Sequence, residues 1–525
     1  MKAANPNTFQ TVSELQQMRR EQQAENARLQ ALMVEKEARW NAEKQSLFEQ
    51  LRLLIEKRFG PSTEKYRIEQ RDLFFDEAEV LVDGEEAGPD ADSETAAAAR
   101  KPRPRGGRAA LPPELPRVEV IHDVVEGERT CPTDGAALKL IGEEVSEQLD
   151  IIPAQVRFIR HLRRKYACTA CEEHVATAPM PPQPLPKSNA SPALLGYVAI
   201  AKYQDALPLY RQEQIFKRLG LDLPRNTLAR WMVQMSELLS PLTETMRAHL
   251  RRGALIHMDE TTVQVNTEPG RAASSTSYMW VSRGGPPGKQ VVLFDYDASR
   301  SGQVPQRLLG DYGGILLSDG YEGYARVVRE NGITHAGCWS HARRKFVEAQ
   351  KVQPKGKVGK ADWVLSLIAK LYRVEKKAQG LSATERQSLR DAESRPLIET
   401  LEQWLRKSIA QVPPKTAIGK ALHYLQGQWP RLTVFLEDGR IPLDNNPAEN
   451  AIRPFVVGRK NWLFSHTPRG AHASATIYTV IETAKANGLE PYAYLIDVLK
   501  NLPGAQTEED ICALLPWNWR ETIQA

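Results

Sequence analysis

Three carboxylates occupy positions from which they could together bind divalent cations. Asp259 and Asp319 each close a short apolar run that is predicted to be a buried strand. Glu449 follows the cap-forming stretch 444–447, which predicts that it lies in the first turn of a helix. Mg²⁺ prefers carboxylate oxygens, and two such ions can activate water for phosphodiester cleavage. These acids therefore form a candidate catalytic site that would bind two Mg²⁺ or Mn²⁺ ions.

Each acid also has a simpler interpretation. Asp259 could merely end a strand, and Asp319 could form a turn with Gly320. Glu449 could pair with Arg453, one helical turn further on. The three residues are far apart in the chain, so their convergence depends on the fold and not on their spacing. A buried charge at a strand end does need a partner, however, and a cation would supply one.

The elements that would position these acids begin at residue 254. Apolar runs alternate with predicted helices from there to residue 350, and the predicted helix that bears Glu449 follows Pro442. Such alternation predicts an α/β domain, in which ligand chemistry gathers at strand ends. Residues 360–438 are predicted to be wholly helical, and residues 491–525 to form a C-terminal helical tail.

Residues 186–253 are predicted to form a helical DNA-binding domain in which prolines such as Pro241 punctuate the helices. Helices over 209–219 and 227–239 flank a turn, which is typical of a helix-turn-helix. The start of the second helix carries the candidate DNA-contacting side chains Arg225, Asn226 and Arg230. An ordinary helical hairpin is the alternative interpretation.

Residues 1–60 contain a predicted helix over 10–58, with apolar side chains every seven positions at Met33, Trp40, Leu47 and Leu54. This period predicts a coiled coil and therefore a homo-oligomer. A single amphipathic helix that folds back on its own chain is the alternative. The linker that follows, over 61–115, is first acidic and then basic. Its basic tract could lie along a DNA groove or simply be solvated.

Two further groups of basic residues could contact DNA phosphates, although solvated surface charge would also explain each of them. The first group opens a predicted helix and comprises His341, Arg343, Arg344 and Lys345; the second comprises Arg453, Arg459 and Lys460. Cys338 and His341 have metal-like spacing. A small buried side chain is nevertheless the favoured interpretation of Cys338, because it ends an apolar strand.

The composition limits the class of protein. The chain has 525 residues with 70 basic and 65 acidic side chains, a net charge of +5 that does not by itself indicate a nucleic-acid partner. It contains no apolar run of membrane-spanning length and no apolar signal segment, so a cytoplasmic protein without a membrane partner is expected. Five cysteines in such a chain do not suggest a disulfide framework.

Several ordered motifs resemble those of transposases of the insertion sequence 66 family, over nearly all of residues 110–520. The motifs are His257-Met258-Asp259-Glu260-Thr261, Ser318-Asp319-Gly320-Tyr321-Glu322-Gly323-Tyr324, Gly337-Cys338-Trp339-Ser340-His341-Ala342-Arg343-Arg344-Lys345-Phe346, Asp444-Asn445-Asn446-Pro447-Ala448-Glu449-Asn450, Gly458-Arg459-Lys460-Asn461-Trp462-Leu463-Phe464 and Leu514-Leu515-Pro516-Trp517-Asn518-Trp519. One departure is Asn450, where the family usually has arginine.

The resemblance implies a ribonuclease-H-like catalytic domain over residues 254–350 and 440–490, with the helical stretch 351–439 inserted between the two parts. It also implies a DDE active site made of Asp259, Asp319 and Glu449. Its substrates would be double-stranded transposon ends and target DNA, and companion proteins of the same element could take part. A DNA-binding regulator without catalysis and a ribonuclease-H-like nuclease without strand transfer are the alternatives.

The family also has a zinc-binding domain, which would correspond to residues 116–185. Its candidate ligands here are Cys131, Asp134, Cys168 and Cys171. Aspartate stands where the family usually has cysteine, but zinc accepts carboxylate oxygen. His161 or His174 could be the fourth ligand instead, and a degenerate site without metal is the remaining alternative.

Overall fold

The computed structural model describes residues 6–59, 117–123, 129, 133, 136–143, 145–146, 148, 154–167, 175–353 and 358–520. The chain divides into two compact units, one of residues 1–61 and 156–525 and the other of residues 62–155. The candidate zinc ligands Cys131, Asp134, Cys168 and Cys171, and also His174, lie outside the described residues. His161 is described and is exposed.

Helices dominate the described part of the chain. They are α1 (Pro6–Phe59), α2 (Pro192–Tyr203), α3 (Leu209–Arg218), α4 (Arg225–Arg251), α5 (Gln303–Leu309), α6 (Ala325–Asn331), α7 (Trp339–Lys351), α8 (Lys360–Lys377), α9 (Ala383–Leu389), α10 (Arg395–Ile409), α11 (Ala417–Leu432), α12 (Asn446–Trp462), α13 (Pro468–Ala486), α14 (Pro491–Asn501) and α15 (Glu508–Ala513). A π-helical turn, Arg390–Ser394, joins α9 to α10. No described helix is both long and apolar enough to span a membrane.

Two sheets are described. Strands β1 (Lys165–Ala167) and β2 (Val175–Thr177) form an antiparallel pair. The second sheet is formed by β3 (Leu255–Gln264), β4 (Thr276–Gly284), β5 (Val291–Asp297), β6 (Ile315–Ser318) and β7 (Thr334–Gly337). Its spatial order is β5-β4-β3-β6-β7. Strands β3, β4 and β5 pair antiparallel, whereas β6 runs parallel to both β3 and β7.

Strand β3 differs from its sequence-based prediction. The sequence predicts a strand that ends at Asp259, but β3 continues without a break to Gln264. The reason is its pairing, because the antiparallel register with β4 extends from Ile256 to Gln264. Parallel pairing with β6 stops at His257. Asp259 therefore lies within a strand, just beyond the point where the parallel pairing ends.

Helix α4 is also longer than predicted, because it continues through Pro241 to Arg251. Proline removes one backbone hydrogen bond and usually bends or ends a helix. Here the buried side chains Leu239 and Leu242 flank the proline on the face that packs into the core. Burial of a leucine side chain stabilises by roughly 1.5–3 kcal/mol, which offsets this loss. Helices α2, α4, α13 and α14 share one hydrophobic core with the sheet.

The outer edge of β5 is covered by α13. The backbone N–H groups of Val292 and Phe294 donate to the hydroxyl oxygens of Thr483 (3.1 Å) and Thr479 (2.8 Å). Unpaired edge groups would otherwise be open to another strand. On the other side of the sheet, α7, α8, α10 and α11 form a second core with β6 and β7. There the fully buried Arg390 side chain pairs with Glu375, at 2.7 Å between Nη2 and Oε2.

Three of the predicted heptad positions of α1 remain uncovered in the single chain. Met33, Trp40 and Leu47 keep 64%, 66% and 66% of their surface exposed. Near the end of the helix, Glu49 accepts a hydrogen bond from the backbone N–H of Ala417 over 2.6 Å. The start of α11 is therefore capped by Glu49 of α1. The apolar stripe of α1, formed by Met33, Trp40 and Leu47, is not buried against its own chain.

Candidate active site

Asp259 and Asp319 follow the paired residues at the C-terminal end of the parallel strands β3 and β6. The last pair in this register is His257 with Leu317. The same register, continued by two positions, would bring Asp259 opposite Asp319, the first residue after β6. The charge of Asp319 contributes to the pKa of Asp259, as expected for neighbouring carboxylates. Asp259 is half-buried, so part of the residue is accessible to solvent.

Glu449 reaches the same region from α12, whose start is tied to β3 by the side chain of Asn445. The Asn445 Nδ2 donates to the carbonyl oxygen of Met258 over 2.8 Å. Its Oδ1 lies 3.0 Å from Nδ1 of His257. Since Oδ1 can only accept, we assign the ring proton to Nδ1. Burial lowers the pKa of His257 to about 4, so the ring is neutral at pH 7.

The pKa of Asp259 depends on its burial and on the other acids. Burial is the main reason that the pKa of Asp259 rises to about 8. The negative charges of Glu260, Glu449 and Asp319 also raise this pKa. Like charges in a low-dielectric site disfavour ionisation, and a bound cation would reverse that effect. The donor set therefore fits hard divalent cations, whose usual ligands are carboxylate oxygens.

Sequence reasoning missed a fourth acid, Glu260. Its side chain is 3% exposed and pairs with Arg300, whose Nε lies 2.8 Å from Oε1. The hydroxyl of Tyr324 donates to the other carboxylate oxygen over 3.1 Å. The Arg300 guanidinium also stacks on the ring of Tyr321, 4.0 Å from its centroid. The backbone N–H of Tyr321 in turn donates to Asp319 Oδ1 over 2.9 Å.

Helix α7 brings two predicted DNA-contacting residues to Glu449. His341 Nδ1 lies 3.5 Å from Glu449 Oε1, and Arg344 Nη2 lies 3.5 Å from Glu449 Oε2. Burial lowers the pKa of His341, although the charge of Glu449 opposes this shift. Arg343 is half-buried on the same helix, and Lys345 is exposed.

The other predicted DNA-contacting residues occupy two further surfaces. Arg459 donates from Nη1 to the hydroxyls of Thr261 (3.2 Å) and Thr262 (3.1 Å), beside the end of β3. Arg453 donates to Asn450 Oδ1 over 3.1 Å, and Lys460 is exposed. At the start of α4, three predicted DNA-contacting side chains are exposed, namely Arg225, Asn226 and Arg230.

Comparison with known families identifies the family of the chain. Residues 187–473, more than half of the chain, match the family described as "Transposase IS66 family". The chain belongs to the IS66 family of transposases. This confirms the resemblance found in the sequence motifs. Three further regions of the IS66 transposase match family components: residues 128–172 match "zinc-finger binding domain of transposase IS66", 479–517 match "IS66 C-terminal element" and 46–120 match "Transposase C of IS166 homeodomain".

Relatives of this IS66 transposase occur in Sinorhizobium fredii. The uncharacterized protein y4jD is 35% identical over 425 residues, which covers 78% of this chain and 81% of the relative. The uncharacterized protein y4qI is 32% identical over 523 residues, covering 95% and 92% respectively. The similarity therefore extends over almost the full length of the IS66 transposase.

Proposed function

We propose that this transposase cleaves and joins DNA at a DDE site made of Asp259, Asp319 and Glu449. The observation that supports the proposal is that the charges of Glu449 and Asp319, from distant parts of the chain, both contribute to the raised pKa of Asp259. The strand order β5-β4-β3-β6-β7 supports a ribonuclease-H-like fold, in which residues 254–350 and 440–490 form the catalytic domain and 351–439 are inserted.

The three carboxylates would hold two Mg²⁺ or Mn²⁺ ions. When bound, such ions activate water and stabilise the leaving oxygen of a phosphodiester. The N–H of Tyr321 donates to Oδ1 of Asp319, and this hydrogen bond would orient the carboxylate for a cation. Arg344 lies beside Glu449 on the exposed side, where it would contact a DNA phosphate. In the reaction, attack of water on the phosphodiester at each transposon end releases a 3′-hydroxyl. That hydroxyl then displaces a 3′-oxygen in the target strand.

The remaining regions would bind DNA and a second copy of the chain. Arg225, Asn226 and Arg230 at the start of α4 would contact one segment of duplex DNA. Arg343, Lys345, Arg453, Arg459 and Lys460, with His341 and Arg344, would contact phosphates nearer the acids. Cys131, Asp134, Cys168 and Cys171 would hold a structural zinc ion. Companion proteins of the same element could join the complex.

A nicking assay tests this proposal. The substrate is duplex DNA that carries the inverted repeats found beside the coding region. With Mg²⁺, the wild-type protein should nick the repeat ends, and Asp259→Asn should lower the rate at least a hundredfold because a metal ligand is lost. Asp222→Asn is the matched control, since Asp222 is exposed. Equal nicking by wild type and Asp259→Asn would refute the assignment, and binding without any nicking would favour a regulator.

A further inference from the structure

Two buried polar atoms face each other between α7 and α12 without a hydrogen bond. His341 Nδ1 lies 3.5 Å from Glu449 Oε1. Within the described part of the chain, each atom is buried and has no hydrogen-bond partner. An N–H···O hydrogen bond would be about 2.7–3.2 Å long, so these atoms are too far apart for a good one. Buried polar atoms are normally satisfied, and such a pair needs a partner.

The starts of the two helices are held in place by hydrogen bonds. A shift of either helix is therefore not an easy way to bring His341 Nδ1 and Glu449 Oε1 into hydrogen-bonding distance. The backbone N–H of Trp339, at the start of α7, donates to the carbonyl oxygen of Leu443 over 3.1 Å. Its indole N–H donates to the carbonyl oxygen of Leu432 over 2.8 Å. The backbone N–H of Asn445, before α12, donates to Cys338 Sγ over 3.2 Å. Both side chains therefore project from anchored first turns.

Cys338 belongs to the same cluster, because its Sγ and the two atoms above lie within 4.8 Å of one another. Its sulfur is already occupied by the Asn445 N–H, and the residue is buried. Through this hydrogen bond, Cys338 connects the start of α7 to the start of α12. His341 and Glu449 are then the pair with free ligand atoms that face each other.

We propose that His341 Nδ1 is a fourth protein ligand of the metal site and shares one cation with Glu449 Oε1. This inference rests on the proposed function, because Glu449 is one of its three metal-binding acids. Two adjacent ligand atoms about 2.1–2.2 Å from one octahedral ion lie about 3.0–3.1 Å apart. The observed separation is 3.5 Å, so the two side chains would need to approach each other by only about 0.5 Å to share a cation.

A nitrogen ligand has a measurable consequence for metal preference. Imidazole suits transition-metal ions better than Mg²⁺, which prefers oxygen ligands. Removal of His341 should therefore weaken Mn²⁺ binding more than Mg²⁺ binding. A purely structural histidine would change the two affinities equally.

The experiment uses the full-length, zinc-supplemented protein without DNA. Mn²⁺ is titrated into wild type, His341→Ala and His341→Gln, and pulsed electron paramagnetic resonance detects ¹⁴N coupling from a coordinated imidazole. We expect the coupling in wild type, its loss in both variants, and Mn²⁺ affinity lowered about tenfold or more. His423→Ala is the matched control, because His423 is exposed on α11 and should leave both quantities unchanged.

The outcomes separate this inference from the function on which it rests. If Glu449→Gln abolishes Mn²⁺ binding but the wild type has no ¹⁴N coupling, His341 is not a ligand and the DDE site stands. If Mn²⁺ binding survives in both Glu449→Gln and Asp259→Asn, the proposed acid site is itself wrong. Circular dichroism checks that each variant is folded, and His341→Gln provides a second folded test if His341→Ala is unstable.

Discussion

The side-chain amide of Asn445 donates a hydrogen bond to the carbonyl oxygen of Met258, with 2.8 Å between the two atoms. Met258 immediately precedes Asp259, and Asn445 immediately precedes the helix that carries Glu449. One fully buried amide thus joins the two elements that contribute the first and last acids. Its position controls the distance between those acids, although it is itself not a metal ligand.

Asn445→Ala should therefore damage both stability and cleavage. It leaves the Met258 carbonyl and the His257 ring nitrogen buried without partners, at a cost of about 2–4 kcal/mol in the free energy of unfolding. Cleavage should fall more than tenfold, because a displacement of about 1 Å at a catalytic group has effects of this size or larger. Urea denaturation and the nicking assay measure the two effects. Asn501→Ala, at an exposed position on α14, should change neither. If Asn445→Ala has the stability of the wild type, the hydrogen bond between Asn445 and Met258 does not contribute to the free energy of unfolding.

Arg300→Ala should reveal the contribution of the Glu260–Arg300 pair. The loss of Arg300 leaves the nearly buried Glu260 carboxylate without its cation, and unfolding should become easier by about 1–3 kcal/mol. Glu260→Gln in the same chain removes the unpaired charge and should restore part of the loss. A double-mutant cycle by denaturation measures this coupling. Additive effects of the two substitutions would show that the pair has no energetic role. Arg326→Ala, from an exposed pair with Glu330, is the control and should change stability by less than about 0.5 kcal/mol.

The sequence predicts those parts of the site that depend on residues close together in the chain. It does not predict those that depend on contacts between distant segments. Local signals were sufficient for the strand before Asp319 and for the helix start before Glu449, because apolar runs and caps act over a few residues. Contacts such as Asn445 with Met258, or Glu260 with Arg300, join distant segments and leave no local pattern. The continuous β3 was missed for the same reason, since its pairing with β4 overrides the polar residues in its middle.

Burial of His335 predicts a pH dependence of stability. Burial lowers the pKa of His335 to about 4 in the folded chain, below the ordinary 6.5. The unfolded chain therefore binds more protons between these values. The contribution of the neutral His335 to the free energy of unfolding is fully present above pH 6.5 and is lost as the pH falls towards 4. His335→Gln, which can keep a hydrogen bond to Ser318, should reduce the loss of stability between pH 7 and pH 5 in urea denaturation. An identical pH dependence in wild type and variant would contradict this assignment, and the exposed His423 provides His423→Gln as a control without effect.

The last prediction concerns the apolar stripe of α1. Met33, Trp40 and Leu47 are spaced by seven residues and are each about two-thirds exposed in the single chain. Such a stripe is expected to be covered by a second α1 in a coiled coil, because burial of each large side chain contributes roughly 1.5–3 kcal/mol. Trp40→Glu combined with Leu47→Glu should place charges at the seam and convert a dimer or larger oligomer into a monomer, as measured by light scattering after gel filtration. Glu37→Gln on the charged surface of the same helix should leave the mass unchanged. A wild-type protein that is already monomeric at micromolar concentration would contradict the predicted coiled coil. The proposed catalytic role of the three acids does not depend on that result.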